Sequence, residues 1–139
     1  MKKSIALTIM LTLGAFLNGN AAGKESWKRT TLSNLNLRGT QAIQARAFLP
    51  YELDREALQF VFSNAPEESA VSNRTSSLIV ELPMPDGTFQ EFRVVKTEVM
   101  HPDLAVRYPE IVTYGGQGIT DPHATAKFDF TPFGFHAMI

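Results

Sequence analysis

The first hydrophobic stretch of the chain, residues 5–17, is uncharged and stands between a basic start and a small-residue exit. Residues 1–4 contain two lysines, and residues 18–23 are small or polar. This order of basic, apolar and small-residue regions is typical of a secretory signal peptide. The stretch is shorter than the ~20 residues that a membrane-spanning helix needs. We therefore predict a signal peptide over residues 1–21, cleaved after Ala21 or, as the alternative, one residue later.

Residues 22–44 are mostly polar and show little periodicity apart from Trp27 and three spaced leucines. We predict a poorly defined leader here, with one short strand. A folded domain then covers residues 45–139. Its first element is a predicted strand over residues 45–49, which Pro50 closes because proline supplies no N–H to a strand ladder.

The clearest helical pattern begins at Asp54, a residue type that caps helix N-termini well. Asn64 ends the pattern, and Pro66 prevents its continuation. Apolar residues recur at helical spacing on one side, which predicts an amphipathic helix over 54–64 packed on a sheet. The predicted buried stripe consists of Ala57, Leu58, Val61 and Phe62.

A hairpin follows a polar loop. Two runs rich in β-branched and aromatic residues, 78–82 and 88–95, flank the turn sequence PMPDG at 83–87. Proline presets φ at an early turn position, and Asp-Gly supplies residue types that tolerate positive φ. The pattern therefore predicts two antiparallel strands joined by a tight turn.

The next predicted element is a short helix over residues 101–108, with Pro102 at its first position and Pro109 after its end. A strand over 111–114 follows. The glycine-rich sequence GGQG at 115–118 is interpreted as a flexible bend between strands rather than a phosphate-binding loop, because no Lys-Ser or Lys-Thr follows it.

Residues 125–131 alternate apolar and polar side chains, the period of a half-buried strand. A turn at 132–134 leads into a last predicted strand over 135–139. Together the elements predict an α+β fold. It is an antiparallel β-sheet of hairpins with one amphipathic helix packed on it and a second short helix.

Composition changes this picture in two ways. The 139 residues hold 44% hydrophobic residues, which fits one folded domain. The formal net charge of −1 falls to −3 once residues 1–21 are removed, because they carry two lysines and no acid. Neither value favours nucleic acid or an anionic membrane as a partner. We expect an exported protein, extracellular, on the cell surface or periplasmic, with no membrane span after signal cleavage.

No enzyme active site is visible in the sequence. The chain has no cysteine, and its histidines are His101, His123 and His136, none of which belongs to a His-Glu-x-x-His zinc motif. A Gly-x-Ser-x-Gly nucleophile elbow is also absent. We therefore assign no catalytic, cofactor-binding or metal-binding residue and expect no cofactor in this chain.

An ordered series of short motifs in residues 46–139 carries a family resemblance. The series runs LPMPDGTF (82–89), FRVV (92–95), MHPDLA (100–105), YPEIVTY (108–114), GQGI (116–119), DP (121–122) and TPFGFHA (131–137). It resembles the N-terminal, propeptide-like region of secreted bacterial zinc metalloproteases of the reprolysin-like (metzincin) type. Each motif is short, and the order and spacing of the set make it specific.

The resemblance implies that a catalytic domain with an extended His-Glu-x-x-His motif follows such a region, and that zinc belongs to that domain. This sequence stops at Ile139, before any such motif, so we expect it to be the front part of a longer protein. The implied function is a non-catalytic pro-region that assists folding of the catalytic domain or masks it. The alternative is a free-standing exported binding or adhesion module.

Latency in such a pro-region could not use a cysteine. A carboxylate or an imidazole would have to reach the zinc, unless the pro-region acts by steric blockage alone. Asp121 and His123, which stand on either side of Pro122, are the candidate pair.

Overall fold

The computed structural model describes residues 21–34 and 46–139. They form two antiparallel sheets and two helices, which confirms the predicted α+β class, with β-structure predominating. The small sheet pairs β1 (Trp27–Arg29) with β2 (Tyr51–Leu53). The large sheet has five strands in chain order: β3 (Ile79–Pro83), β4 (Phe89–Thr97), β5 (Val112–Gly118), β6 (Thr125–Thr131) and β7 (Gly134–Met138). The helices are α1 (Arg55–Phe62) and α2 (Pro102–Arg107).

Helix α1 begins as predicted. The Asp54 carboxylate accepts a hydrogen bond from the Ala57 N–H at 2.9 Å, which satisfies one of the free donors of the first turn. Leu58 and Phe62 are fully buried and Val61 is half-buried, but Ala57 is exposed. The predicted stripe is therefore wrong at Ala57. The buried face is centred on Leu58 and Phe62, which are four residues apart, and Ala57 lies beside this face, exposed to solvent.

The core lies between α1 and one face of the large sheet. Phe62 is its central residue, since its ring makes edge contacts with four aromatic rings of the sheet. Those rings belong to Tyr114, Phe128, Phe130 and Phe135, with centroids 4.9–5.8 Å from that of Phe62. Edge-to-face packing of this kind adds stability beyond the area that it buries.

The hairpin of β3 and β4 confirms the prediction, and β4 extends two residues further than expected. Gly87 adopts a φ of +86°, which glycine tolerates without a steric penalty. The Asp86 carboxylate accepts hydrogen bonds from both the N–H (2.9 Å) and the hydroxyl (2.7 Å) of Thr88. These two bonds hold the pKa of Asp86 below its usual value.

The predicted bend at 115–118 is wrong, since these residues complete β5, the central strand of the large sheet. The glycines serve close packing. A Cβ at Gly116 would lie only 2.7 Å from Cε2 of Phe128 on the neighbouring strand. Because Gly116 has no side chain, the Phe128 ring can pack against its backbone. Glycine inside a strand often marks such a close approach.

The predicted strand over 45–49 is also wrong: residues 46–49 are not strand, and Ala45 lies outside the described residues. The strand instead follows Pro50, as β2. Pro50 lacks an N–H, but its carbonyl accepts a hydrogen bond from the Thr30 N–H at 3.1 Å. Pro50 therefore fits directly before the strand, because no backbone N–H is needed at that position.

Residues 22–30, which belong to the predicted leader, pack against the rest of the fold. Ala22 forms a parallel bridge to β3, donating to the Ile79 carbonyl and accepting from the Glu81 N–H, both at 2.8 Å. The short strand predicted in the leader is β1. The rest of the leader, residues 35–44, lies outside the described residues, as do residues 1–20 of the predicted signal peptide.

The remaining elements agree closely with the predictions. Helix α2 starts at Pro102, β6 covers 125–131 as predicted, and β7 begins one residue before its predicted start. Within residues 21–34 and 46–139, no helix is both long and apolar enough to cross a membrane.

The face of the large sheet that points away from α1 carries mainly polar side chains, and we call it the outer face.

Candidate functional site

Helix α2 has no buried residue, although four of its six side chains are apolar. The two prolines that delimit it keep it to six residues, too short to bury a full face. Val106 is 83% exposed, and Val99, just before the helix, is 72% exposed. Leu104 and Tyr108 are also exposed. Several large apolar side chains exposed on one short segment mark interaction sites more often than isolated ones do.

A groove of about 420 Å³ separates α2 from the ends of β4 and β5. We call it the α2 groove. Its lining is mainly apolar, with a polar end formed by residues of the two strands. The apolar members are Val99, Met100, Pro102, Ala105, Val106, Pro109, Ile111 and Val112; the polar members are Lys96, Thr97, Glu98 and Thr113.

The polar end of the α2 groove is acidic. Lys96 lies 2.8 Å from the Glu67 carboxylate and neutralises one of the three carboxylates around it. A second depression, of about 300 Å³, begins there and is lined by Glu67, Glu68, Ser69, Lys96 and Glu98. The arrangement is an apolar groove with a negatively charged end, which suits a protein surface that presents apolar side chains beside a basic residue.

The outer face carries a row of polar side chains that cross-strand pairing brings together. The row consists of Thr97, Thr113, Asp129 and His136, one from each of β4 to β7. The Thr113 hydroxyl donates to the Thr97 carbonyl at 2.7 Å, and the Thr97 hydroxyl lies 3.2 Å from that of Thr113. At the other end, Nδ1 of His136 lies 2.7 Å from Oδ1 of Asp129.

The Asp129–His136 pair resembles part of a catalytic triad, and the geometry does not complete one. Thr113 lies beside Asp129 on the side away from His136. Among the described residues, the only side-chain hydrogen bond of the imidazole is the one to Asp129. A triad needs a nucleophile bonded to the histidine. The pair therefore orients the imidazole, and the His136 side chain remains largely exposed.

The three histidines, which are far apart in the sequence, also lie on three different elements of the fold. His101 caps α2, where its Nδ1 accepts from the Asp103 N–H at 3.4 Å. His136 lies on β7. His123 lies in an exposed turn in which the Asp121 carboxylate accepts from the His123 N–H at 2.9 Å. The candidate pair Asp121 and His123 is thus close in space, and the Asp121 side chain stabilises the turn that presents His123.

The described residues contain no group of three or more histidine, aspartate or glutamate side chains placed to hold a metal ion. The structure therefore offers no internal metal centre in residues 21–34 and 46–139. The chemistry that the surface offers is that of binding: an apolar groove, an acidic end and an oriented imidazole.

Sequence reasoning missed the Asp129–His136 pair, although a signal for it was present. The turn at 132–134 makes Thr131 and Gly134 partners, and counting back along the two strands places 129 opposite 136. The exposure of α2 had no such signal, because its apolar residues follow the same spacing as a buried helix would.

Comparison of the chain with protein-family models, with curated proteins and with solved structures finds no match.

Proposed function

We propose that this chain is the non-catalytic pro-region of a secreted zinc metalloprotease of the reprolysin-like type. In this proposal it is exported and binds a catalytic domain, whose folding it assists or whose active site it masks. Zinc belongs to the catalytic domain and not to this chain. The α2 groove is the proposed contact surface for that domain.

One observation carries the proposal. The motifs that suggest the family fall into two groups in the fold. Those in the strands, such as FRVV at 92–95, supply buried core residues, so packing accounts for them. MHPDLA at 100–105 and the start of YPEIVTY at 108–114 instead form exposed α2 and its flanks. No residue of α2 is buried by the described parts of the chain, 21–34 and 46–139, and a partner surface would give its apolar side chains a function.

The distribution of apolar and polar residues around the α2 groove agrees with a protein partner. A standard protein–protein interface buries about 800 Å² on each side and has an apolar centre with a polar rim. The α2 groove supplies the apolar centre, and the acidic end and the polar row of the outer face supply a rim. A masking role by direct zinc ligation would fall to Asp121 or His123, since both are exposed and the Asp121 carboxylate uses only Oδ1 to accept the His123 N–H.

The first test is genetic. DNA downstream of the codon for Ile139 should encode, in frame, a His-Glu-x-x-His motif. A stop codon at that point in the natural gene would contradict the pro-region and favour the free-standing exported binding module.

The second test is biochemical. The chain is added to the matched catalytic domain, and cleavage of a fluorogenic peptide and recovery of activity after refolding are measured. We expect inhibition or a higher refolding yield at equimolar chain. If both stay unchanged, the proposal is wrong. Alanine at Asp121 and at His123 then tests latency, since full inhibition by both variants would leave steric masking as the mechanism.

A further inference from the structure

A smaller cavity lies on the outer face, separate from the α2 groove and from the acidic depression beside it. Two arginines line it. Its volume is about 230 Å³, and its lining consists of Arg74, Arg93, Gln117, Gly118, Ile119 and Pro122. Arg93 lies on β4 opposite Gln117 on β5, and Arg74 comes from the loop before β3. We call this cavity the arginine pocket.

Arg93 is held in place from one side. Its Nη1 donates to the carbonyl of Ser76 at 2.8 Å, and Ser76 is itself fully buried, with its hydroxyl donating to the Val94 carbonyl. A guanidinium has five N–H donors in a fixed plane. Only one hydrogen bond from the Arg93 guanidinium to the described residues exists, so most of its donors remain available to a ligand.

Gln117 makes the opposite wall rigid. It is only 7% exposed, and its Nε2 donates to the carbonyls of Pro122 (2.6 Å) and Ala124 (3.0 Å). These two bonds fix the loop that carries Ile119 and Pro122 against the sheet. The arginine pocket thus has one polar wall with donors and one apolar wall.

Neither arginine has an acidic partner within the described part of the chain. No carboxylate of residues 21–34 or 46–139 lies within 4.0 Å of either guanidinium. Two cations therefore line one cavity in a protein whose overall charge is negative. An anion bound in this cavity would be attracted by both charges and could accept hydrogen bonds from their free donors.

The form of the arginine pocket selects the anion. Arginine pairs best with planar or forked oxyanions, because two parallel N–H groups match two oxygens. The cavity is smaller than the ~300 Å³ at which small-molecule sites begin. It therefore suits one side chain, whose methylene groups would contact Ile119 and Pro122 while its oxygens face the guanidinium groups.

We propose that the arginine pocket binds the carboxylate of an aspartate or glutamate side chain on the protein that docks against this chain. The Arg93–Gln117 and Thr97–Thr113 pairs lie on the same strands four residues apart, which is about 13 Å at ~3.3 Å per residue. The arginine pocket and the α2 groove can therefore contact one partner. Only the identity of that partner rests on the proposed function.

The carboxylate preference is tested on the full exported chain with small probes. N-acetyl-glutamate amide is titrated while the ¹⁵N signals of the arginine Nε–H groups are recorded by NMR, with N-acetyl-glutamine amide as the neutral control. We expect saturable shifts at Arg93 with glutamate only. The apparent affinity should fall roughly fivefold in Arg74→Ala, which removes one charged donor from an exposed residue and spares the fold.

Three results overturn the proposal. Equal shifts with the glutamine probe would show that the carboxylate is not recognised. An equal loss of affinity in Arg29→Ala, an exposed arginine of β1, would show that general charge attraction explains the binding. Inorganic phosphate is titrated in parallel, and tighter binding of phosphate than of the glutamate probe would also overturn the carboxylate assignment.

A final comparison separates this proposal from the proposed function. Binding of the matched catalytic domain is measured for Arg74→Ala and for Arg93→Lys, which keeps the charge but loses the planar fork. At least fivefold weaker binding of both variants supports use of the pocket by the partner. Unchanged binding of both would refute that use and leave the α2 groove as the proposed contact.

Discussion

The ring of Phe62 on α1 packs edge-on against the ring of Tyr114 on β5, with centroids 4.9 Å apart and planes at 75°. Phe62 is fully buried, and this contact is one of four that join the helix to the aromatic side chains of the sheet. The relationship makes α1 a structural part of the core.

Phe62→Ala should therefore lower the free energy of unfolding by about 3–5 kcal/mol, the usual cost of emptying a buried aromatic site. Phe60→Ala on the same helix is the matched control, since Phe60 is 74% exposed and its loss should change stability by less than about 0.5 kcal/mol. Urea unfolding followed by circular dichroism measures both. Equal effects of the two variants would contradict the packing described for α1.

The sign of the stability change caused by Gly116→Ala distinguishes a strand from a flexible bend at this position. In a bend without steric constraint, alanine should stabilise the fold by about 0.4–1 kcal/mol by restricting the unfolded chain. Here the added Cβ would collide with the Phe128 ring, so we expect a loss of about 1–3 kcal/mol.

The same contact can be tested by a double-mutant cycle. Gly116→Ala combined with Phe128→Leu should cost less than the sum of the two single variants, because the smaller side chain makes room for the new methyl group. Additive costs in thermal or urea unfolding would show that the two sites are not in contact.

Alkaline stability should depend on Tyr114. Burial raises the pKa of this phenol, and the negative charge of Glu67 adds to the effect. Since the folded-state pKa lies above that of the unfolded chain, the contribution is complete below about pH 10 and is lost as the pH rises further. Urea unfolding from pH 8 to 11 should show a steeper alkaline loss for the natural protein than for Tyr114→Phe. Tyr108→Phe, at an exposed position, is the control, and it should leave the slope unchanged.

The α2 groove should be essential for partner binding and dispensable for folding. Val106→Asp introduces a charge at a side chain that is 83% exposed, so the free energy of unfolding should change by less than about 0.5 kcal/mol. Binding of the matched catalytic domain, measured by calorimetry, should weaken at least tenfold, because the charge would be desolvated in an apolar contact. Phe60→Asp, on α1 away from the groove, controls for the added charge. Unchanged binding by Val106→Asp would exclude the groove as the contact.

The turn chemistry around Gly87 and the capping of α1 by Asp54 could be predicted because both depend on residues only two or three positions apart. The same holds for the alternation that places Phe128 and Phe130 in the core. In each case the deciding interaction lies within a few residues along the chain. The strand order could not be derived in this way, since it depends on pairing between residues far apart in the chain, such as Thr97 with Thr113 across the segment that contains α2.

The candidate site was less accessible from the sequence. Asp121 and His123 were chosen because they are neighbours in the chain, whereas Asp129 and His136 become neighbours only through the register of β6 and β7. The arginine pocket could not be predicted from the sequence, because Arg74 lies in a loop and Arg93 on β4, and the two residues come to line one cavity only in the folded protein.

The sequence by itself determined the α+β class, the positions of α1 and the β3–β4 hairpin, and the resemblance that underlies the proposed function. Tertiary structure alone decided that the glycines of β5 lie inside a sheet, where Gly116 makes room for the Phe128 ring. It also decided that the apolar residues of α2 remain on the surface. The physical reason is the range of the interactions: capping, turn formation and periodicity act between near neighbours in the chain, whereas burial depends on which distant strand or helix covers a given side chain.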